Sequence, residues 1–212
     1  MFITFEGVDS SGKTTQAQRT VDMLRERVNR PVHFIREPGG TVISERLREI
    51  LLDREHLELD GLTELLLFSA SRAQLVHEVI MPALHRGDIV VCDRYYDSTT
   101  AYQGYGRGLD LDTVRRINAA ATAGTDPDLT ILVDITVDEI ERRKRAARAE
   151  YDRMESAGRD FYERVRNGYL TLAREHPERF VVVNGMQNIE DAAREVDRAV
   201  QERQTRLIRE EL

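Results

Sequence analysis

Residues 7 to 14, Gly7-Val8-Asp9-Ser10-Ser11-Gly12-Lys13-Thr14, carry the spacing G-x-x-x-x-G-K-T. That spacing suits polyphosphate binding. Backbone N–H groups surround the phosphates at a helix N-terminus, glycine lets the chain bend tightly, a lysine reaches the β- and γ-phosphates, and a hydroxyl holds a divalent cation. Lys13 and Thr14 fill the last two roles, while Gly7, Val8, Asp9, Ser10, Ser11, Gly12 and Thr15 complete the cradle. An ordinary strand-to-helix turn can match by chance, but an apolar run precedes this one and a helical pattern follows it. The expected ligand is a nucleoside triphosphate with Mg²⁺. The cradle alone leaves the acceptor of the γ-phosphoryl open: water, a protein or a small molecule.

Three further clusters bear on the acceptor. Cys92-Asp93-Arg94-Tyr95-Tyr96 follows a buried apolar run, which places a carboxylate and a guanidinium at the carboxyl end of a strand, where open α/β sheets bind ligands. Arg94 suits the planar capture of a second phosphate; a salt bridge at the strand end is the plainer alternative. A GTPase switch would have glycine after the Asp at this strand end, where Arg94 follows Asp93, and a later Asn/Lys/x/Asp set, which the sequence lacks. Phe68 and Arg72 are four apart on one helix face, an aromatic plane and a guanidinium able to grip a base. The alternative there is a core Phe followed by a solvated Arg. Tyr95 to Gly108, rich in tyrosine and glycine, reads as a binding loop for a sugar and base, or simply as a connector.

Short β-branched runs alternating with long charged helical patterns predict βαβ units and one parallel sheet. The strands are predicted at Phe2 to Phe5, Val32 to Ile35, Ile89 to Cys92, Leu129 to Val133 and Phe180 to Val183. Helices are predicted at Lys13 to Arg27, Ser44 to Asp53, Thr63 to Arg86, Asp112 to Ala123, Val137 to Arg148, Phe161 to Arg174 and Ile189 to Glu211, with Pro82 kinking or ending the third. The 212 residues, 41% hydrophobic and 33% charged, suit one domain spanning 1–212. A net charge of −7 argues against a broad nucleic-acid surface. No long apolar run offers a membrane span, the histidines show no metal-ligand spacing, and the single Cys92 permits no internal disulfide. With no secretory pattern at the N-terminus, the expected compartment is the cytoplasm.

Taken together these residues resemble the thymidylate (dTMP) kinases, in the bacterial and archaeal form with a basic lid. The resemblance runs through Phe5-Glu6-Gly7-Val8-Asp9, Arg36-Glu37-Pro38-Gly39-Gly40-Thr41, Leu67-Phe68 to Arg72, Asp93-Arg94-Tyr95 to Gly104, and Asp152-Arg153-Met154-Glu155. It implies a P-loop NTPase-like five-stranded parallel sheet flanked by helices, with a helical lid near residues 140–155. It implies transfer of the γ-phosphoryl of ATP to dTMP, giving dTDP and ADP. By the same resemblance Phe68 stacks on thymine, Arg72 meets its O4 edge, and Thr99 or Gln103 addresses N3. Arg94 and Arg48 hold the acceptor phosphate, Tyr102 fills the space of a ribose 2′-hydroxyl, and Asp9 and Glu37 lie near the 3′-hydroxyl or the metal shell. Thr14 and Asp93 are the expected metal ligands. The Glu37-Pro38 peptide is expected cis, and the partners are the two nucleotides and a second copy of the chain, through the apolar stretch Leu62 to Leu75.

Transfer between two phosphate groups needs in-line positioning and charge neutralisation, and no general base. Some relatives carry an arginine within the cradle; here Lys13 is its only cation. The segment Arg142-Arg143-Lys144-Arg145-Ala146-Ala147-Arg148, followed by Arg153, resembles the family's lid, and Arg148 and Arg153 are the expected catalytic arginines beside Lys13, Arg94 and Asp9. The alternative is a solvated basic helix face. Two departures stand out: Ala149 and Ser10 occupy positions where the family commonly has glycine. A deoxynucleoside kinase or another nucleotide kinase of similar fold, and a nucleotide-dependent switch or binding protein with no small-molecule acceptor, are the competing functions.

Overall fold

The structure, a computed structural model, describes residues 1–56, 58–147 and 158–210. Each predicted strand extends one residue beyond its apolar run, because that next residue is polar and reaches the rim of the sheet. The strands are β1 (Phe2–Glu6), β2 (Val32–Arg36), β3 (Ile89–Asp93), β4 (Leu129–Asp134) and β5 (Phe180–Asn184). All pair in parallel in the order β2-β3-β1-β4-β5. In register, Asp93 faces Phe5 on one side and Arg36 on the other, so the polar strand ends share one edge. The crossovers leaving β1 and β3 run in opposite directions, and that reversal opens a crevice at their carboxyl ends.

Helix α1 (Lys13–Arg27) matches its predicted bounds. It buries Ala17, Val21 and Leu24 against one face of the sheet, beside Ala192, Val196 and Val200 of α9 (Ile189–Glu210). On the other face, α3 (Gly61–Leu75) seats Leu75 among Phe2, Val90 and Cys92. There α8 (Arg159–Glu175) packs Phe161, Val165 and Tyr169 with Leu132. Local hydrogen bonds fix the helix starts: the Thr41 hydroxyl accepts from Ser44 N ahead of α2 (Val42–Leu52), and Asp60 accepts from Leu62 N and Thr63 N ahead of α3.

Two expectations need correction. The helix predicted from Thr63 to Arg86 is α3, a π-helical turn over Val76–Ile80, and α4 (Met81–His85). Pro82 sits in the first turn of α4 and does not end the chain's helical course. It has no N–H to donate, and the widened turn before it absorbs the missing bond. The second correction concerns Tyr95 to Gly108, which is helical: α5 (Tyr96–Thr99) runs into π-helical turns over Thr100–Gly106. Its glycines serve packing. A Cβ on Gly104 would lie 2.7 Å from Leu111 of α6 (Leu111–Thr122), and one on Gly106 2.7 Å from Phe161 of α8. Close approach of three helices overrides the low helix propensity of glycine. Helix α7 (Val137–Ala147) is described, while residues 148–157, Ala149 and Arg153 among them, lie outside the described residues.

Candidate active site

The cradle links β1 to α1. Gly7 takes φ 139° with its Cα so close to Val133 O that a Cβ would lie 2.5 Å away, and Gly12 takes φ 95° where α1 begins. Ser10 holds φ 62°, so a serine occupies a left-handed position that favours glycine. Lys13 is buried with Nζ 3.5 Å from Val8 O. Burial, and then the like charge of Arg94, pull its pKa down. Thr14 donates to Asp93 Oδ2 at 2.5 Å, and Asp93 Oδ1 is buried with no partner. A hydroxyl beside a carboxylate with an unused buried oxygen fits Mg²⁺, which takes few protein ligands and keeps waters and phosphate oxygens.

Arg94 follows β3 at φ 71°, with its N–H donating to Phe5 O at 2.9 Å. Its side chain turns back over the end of β1. Nη1 donates to Gly7 O at 3.0 Å, Ser98 Oγ at 3.0 Å and Tyr169 OH at 3.2 Å. Nη2 donates to Asp9 Oδ1 at 2.5 Å and Tyr102 OH at 3.3 Å. The Asp9 contact is a partly buried ion pair, 17% and 18% exposed, which removes the reading of a loose surface bridge. Burial favours a neutral Asp9, but Arg94, Lys13 and the Tyr102 hydroxyl outweigh it and hold the pKa at about 2.

Also on the cavity wall, Phe68 is half-buried and Arg72 is 2% exposed. Arg72 is not a solvated side chain. Its Nε donates to Glu37 Oε2 at 2.8 Å, Nη1 to Asn118 Oδ1 at 3.2 Å, and Nη2 to Thr99 Oγ1 at 2.9 Å and Tyr95 O at 3.3 Å. Burial raises the Glu37 pKa to about 7 despite Arg72. Gln103 Nε2 donates to the buried Glu64 at 2.8 Å. Arg48, on α2, donates to Pro38 O at 2.9 Å, next to the cis Glu37-Pro38 peptide. One cavity is lined by both groups of residues, Lys13, Thr14, Asp93, Arg94 and Asp9 together with Phe68, Arg72, Thr99, Tyr102 and Gln103, and by Glu37 and Arg48 as well.

Helix α7 closes over the cradle. Arg143 Nη1 donates to Ser10 O at 3.1 Å and Ser11 O at 3.0 Å, and Nη2 to Gly185 O at 2.7 Å. Lys144 donates to Tyr162 OH at 2.8 Å, and that hydroxyl donates to Asp9 Oδ2 at 3.2 Å. Arg142, 67% exposed, pairs with Glu139. Part of the basic stretch is therefore a solvated face and part of it meets the cradle.

A family model described as Thymidylate kinase matches residues 5–196. The chain belongs to the thymidylate kinase family. It is 46% identical over 204 residues to the thymidylate kinase of Caldanaerobacter subterraneus subsp. tengcongensis, with 95% of each chain covered. Against the thymidylate kinase of Kosmotoga olearia it is 48% identical over 190 residues, 90% of each. The crystal structure of thymidylate kinase from Ehrlichia chaffeensis is similar at a TM-score of 0.77 and 37% identity, covering 95% of this chain and 98% of that one. Thymidylate kinases are phosphotransferases that act on dTMP, with ATP as donor, in dTTP synthesis, and this chain is such an enzyme.

Most residues singled out from the sequence meet at this cavity, and the exceptions are instructive. Glu37 lines the cavity too, and there its partner is Arg72, 35 positions away. Arg148 and Arg153 lie outside the described residues, whereas Arg143 reaches the cradle. The sequence did carry a signal for Arg143: Glu139, one helical turn earlier, accepts from its Nε at 2.6 Å and aims it. Asn118, Glu64 and Tyr169, which hold Arg72, Gln103 and Arg94, went unmarked because their pairings span many residues of sequence.

Proposed function

We propose that dTMP lies along this cavity with its base at Phe68 and its phosphate at Arg94, facing the γ-phosphate of ATP on the Lys13 cradle. The observation that carries the reading is that one cavity is lined by Phe68 and Arg72 as well as by Lys13 and Arg94. Phe68 offers a ring face for stacking. Arg72 has five N–H donors, and Nη1 retains one beyond Asn118 with which to meet thymine O4. Since Gln103 Nε2 is engaged by Glu64, its Oε1 is the atom left to accept from N3–H. Cytosine has no hydrogen there, so this contact selects thymine or uracil over cytosine. Tyr102, its hydroxyl tied to Asp9 and Arg94, fills the side of the sugar where a 2′-hydroxyl would stand. Asp9 faces the 3′-hydroxyl, and Arg48 adds a second cation at the acceptor phosphate.

In the transfer, a dTMP phosphate oxygen attacks the γ-phosphorus of ATP in line and the bond to the β,γ-bridging oxygen breaks, releasing ADP. Lys13 and Arg94 hold the two phosphates in register and neutralise the charge spread over the transferred group. Thr14 and Asp93 would hold Mg²⁺, which when bound supplies further neutralisation at the donor phosphates. Arg143, and the lid's Arg148 and Arg153, complete the positive surround. The deciding experiment is an ADP-release assay with dTMP, dUMP, dCMP, dGMP and thymidine side by side. ADP release that starts only with dTMP or dUMP is expected; turnover on thymidine alone, or hydrolysis indifferent to acceptor, would overturn the pose. The exposed Val42, Ile43 and Ile50 of α2 with Leu62 and Leu66 of α3 make an apolar face suited to a twofold homodimer, which light scattering would measure. We place the enzyme in the cytoplasm; no described helix is long and apolar enough to cross a membrane.

A further inference from the structure

Beneath Arg94 lies a carboxylate for which the transfer itself has no use. Glu6, the last residue of β1, is 0% exposed. Its Oε1 accepts from Tyr95 N at 2.7 Å, and its Oε2 accepts from Ser98 Oγ at 2.6 Å and Tyr169 OH at 3.0 Å. Those hydroxyls are 2.8 Å apart, and both also accept from Arg94 Nη1. Glu6 therefore grips Arg94 twice. One grip is on the backbone, at the residue after the left-handed φ of 71°. The other is on the side chain, through two hydroxyl groups from two different helices.

The polarity of this relay follows from hydrogen counting. Arg94 offers only hydrogens. A hydroxyl can accept from Arg94 without conflict only if its own hydrogen points elsewhere, and Glu6 Oε2 is where both hydrogens converge. Ionised Glu6 thus turns the lone pairs of Ser98 and Tyr169 toward the guanidinium. An uncharged donor at the same place would turn the hydroxyl hydrogens toward it. We propose that Glu6, acting through Ser98 and Tyr169, is the positioning residue that holds Arg94 at the acceptor phosphate. This rests on the assignment of Arg94 to that phosphate. The charged groups around the carboxyl are Asp97 on α5, Lys13 on α1 and Arg94 itself, with the Tyr169 phenol and the Cys92 thiol also near. Burial, followed by Asp97, raises the Glu6 pKa to about 7, against the Ser98, Arg94 and Tyr95 contacts that lower it. The relay then weakens on the acid side of neutrality.

Glu6→Gln is nearly isosteric and keeps an acceptor for Tyr95 N, but its amide donates to both hydroxyls and reverses the relay. Tyr169→Phe keeps the ring and removes one of the two oxygens. The measurement is the affinity for dTMP and for thymidine, which lacks the phosphate, together with KM for ATP. Each variant is expected to lose about tenfold in dTMP affinity, the scale of a hydrogen bond to a charged group, with thymidine and ATP unchanged within twofold. Glu6→Asp, which keeps the charge, recovers part of the loss. If neither variant changes the ratio of dTMP to thymidine affinity, the proposal is wrong. It is equally wrong if a folded variant loses both ligands alike, since Glu6 is then merely structural. Arg94→Ala separates the two levels: if it keeps the preference for dTMP over thymidine, the phosphate assignment itself fails. If it loses that preference while Glu6→Gln and Tyr169→Phe keep it, only the positioning role fails.

Discussion

Phe68→Ala tests whether a ring in a leucine-rich helix faces a ligand or the interior. Phe68 is half-buried, lines the cavity, and also packs against the cluster built around Tyr102 and Phe161. Truncation should therefore act on both stability and binding. A fully buried Phe→Ala costs about 3–5 kcal/mol, and half of that, about 2 kcal/mol, is the expected loss of folding stability here. Stacking a base on an aromatic ring contributes about 1–3 kcal/mol, which converts to roughly a 5- to 150-fold rise in KM for dTMP. KM for ATP should stay within about twofold, because Phe68 is carried by α3 and not by the loop and helix that hold Lys13 and Thr14. Phe68→Leu restores most of the packing without a stacking plane, so it should recover melting temperature while dTMP affinity stays weak. The assay is coupled ADP release with each substrate titrated at saturating levels of the other, alongside thermal unfolding. Equal losses for both substrates, or full rescue of dTMP by leucine, would refute the reasoning and return Phe68 to the core.

Lys13→Ala should lower kcat by on the order of 10² to 10³, the cost of one preorganised charge at a transferring group, with little change in unfolding temperature; near-normal turnover would remove the cradle assignment. Arg153→Ala should depress kcat by about 10³ or more with a smaller effect on KM for either nucleotide, as expected of a cation used in the transition state, and single-turnover kinetics separates the two. Asp9 gives a pH prediction. Its folded pKa of about 2 lies below the ordinary aspartate value of 3.8, so its contribution is complete well above pH 3.8 and is lost as pH falls toward 2. Comparing wild type with Asp9→Asn in denaturant titrations should show a stability difference of about 2 kcal/mol near neutrality that vanishes at the acid end, and a difference constant with pH would contradict the pairing with Arg94.

Much of this architecture is legible in the sequence because it rests on local pattern. Runs such as Ile89 to Cys92 are apolar throughout since strands covered on both faces have no solvent side, and the polar residue after each run marks the rim where the site lies. The cradle is legible because its backbone geometry restricts residue type at Gly7 and Gly12. What was not legible is long-range. Glycine at 104 and 106 signals a loop to any local reading, whereas Leu111 and Phe161 make it a packing requirement. The residues that hold the ligand-facing groups are likewise invisible in sequence: Glu37 and Asn118 aim Arg72, and Glu64 aims Gln103, over separations of 35, 46 and 39 positions.

The carboxylates of this site have a use that follows from its cations. Lys13 and Arg94 are brought into one cavity, and their mutual repulsion, on top of burial, pushes Lys13 toward its neutral form, in which it would be useless at a phosphate. Asp93, Asp9 and Glu6 each raise the Lys13 pKa in opposition. Asp9 does so while bonded to Arg94, and Glu6 does so while ordering the hydroxyls beneath it. A transfer between two phosphates asks for no proton to be taken, so acids at these positions need not be bases. They keep two buried cations charged and close together, at the spacing that two adjoining phosphates demand. Neutralising any one of them should therefore weaken the site's hold on phosphate, and Asp9, which acts on both cations, should matter most.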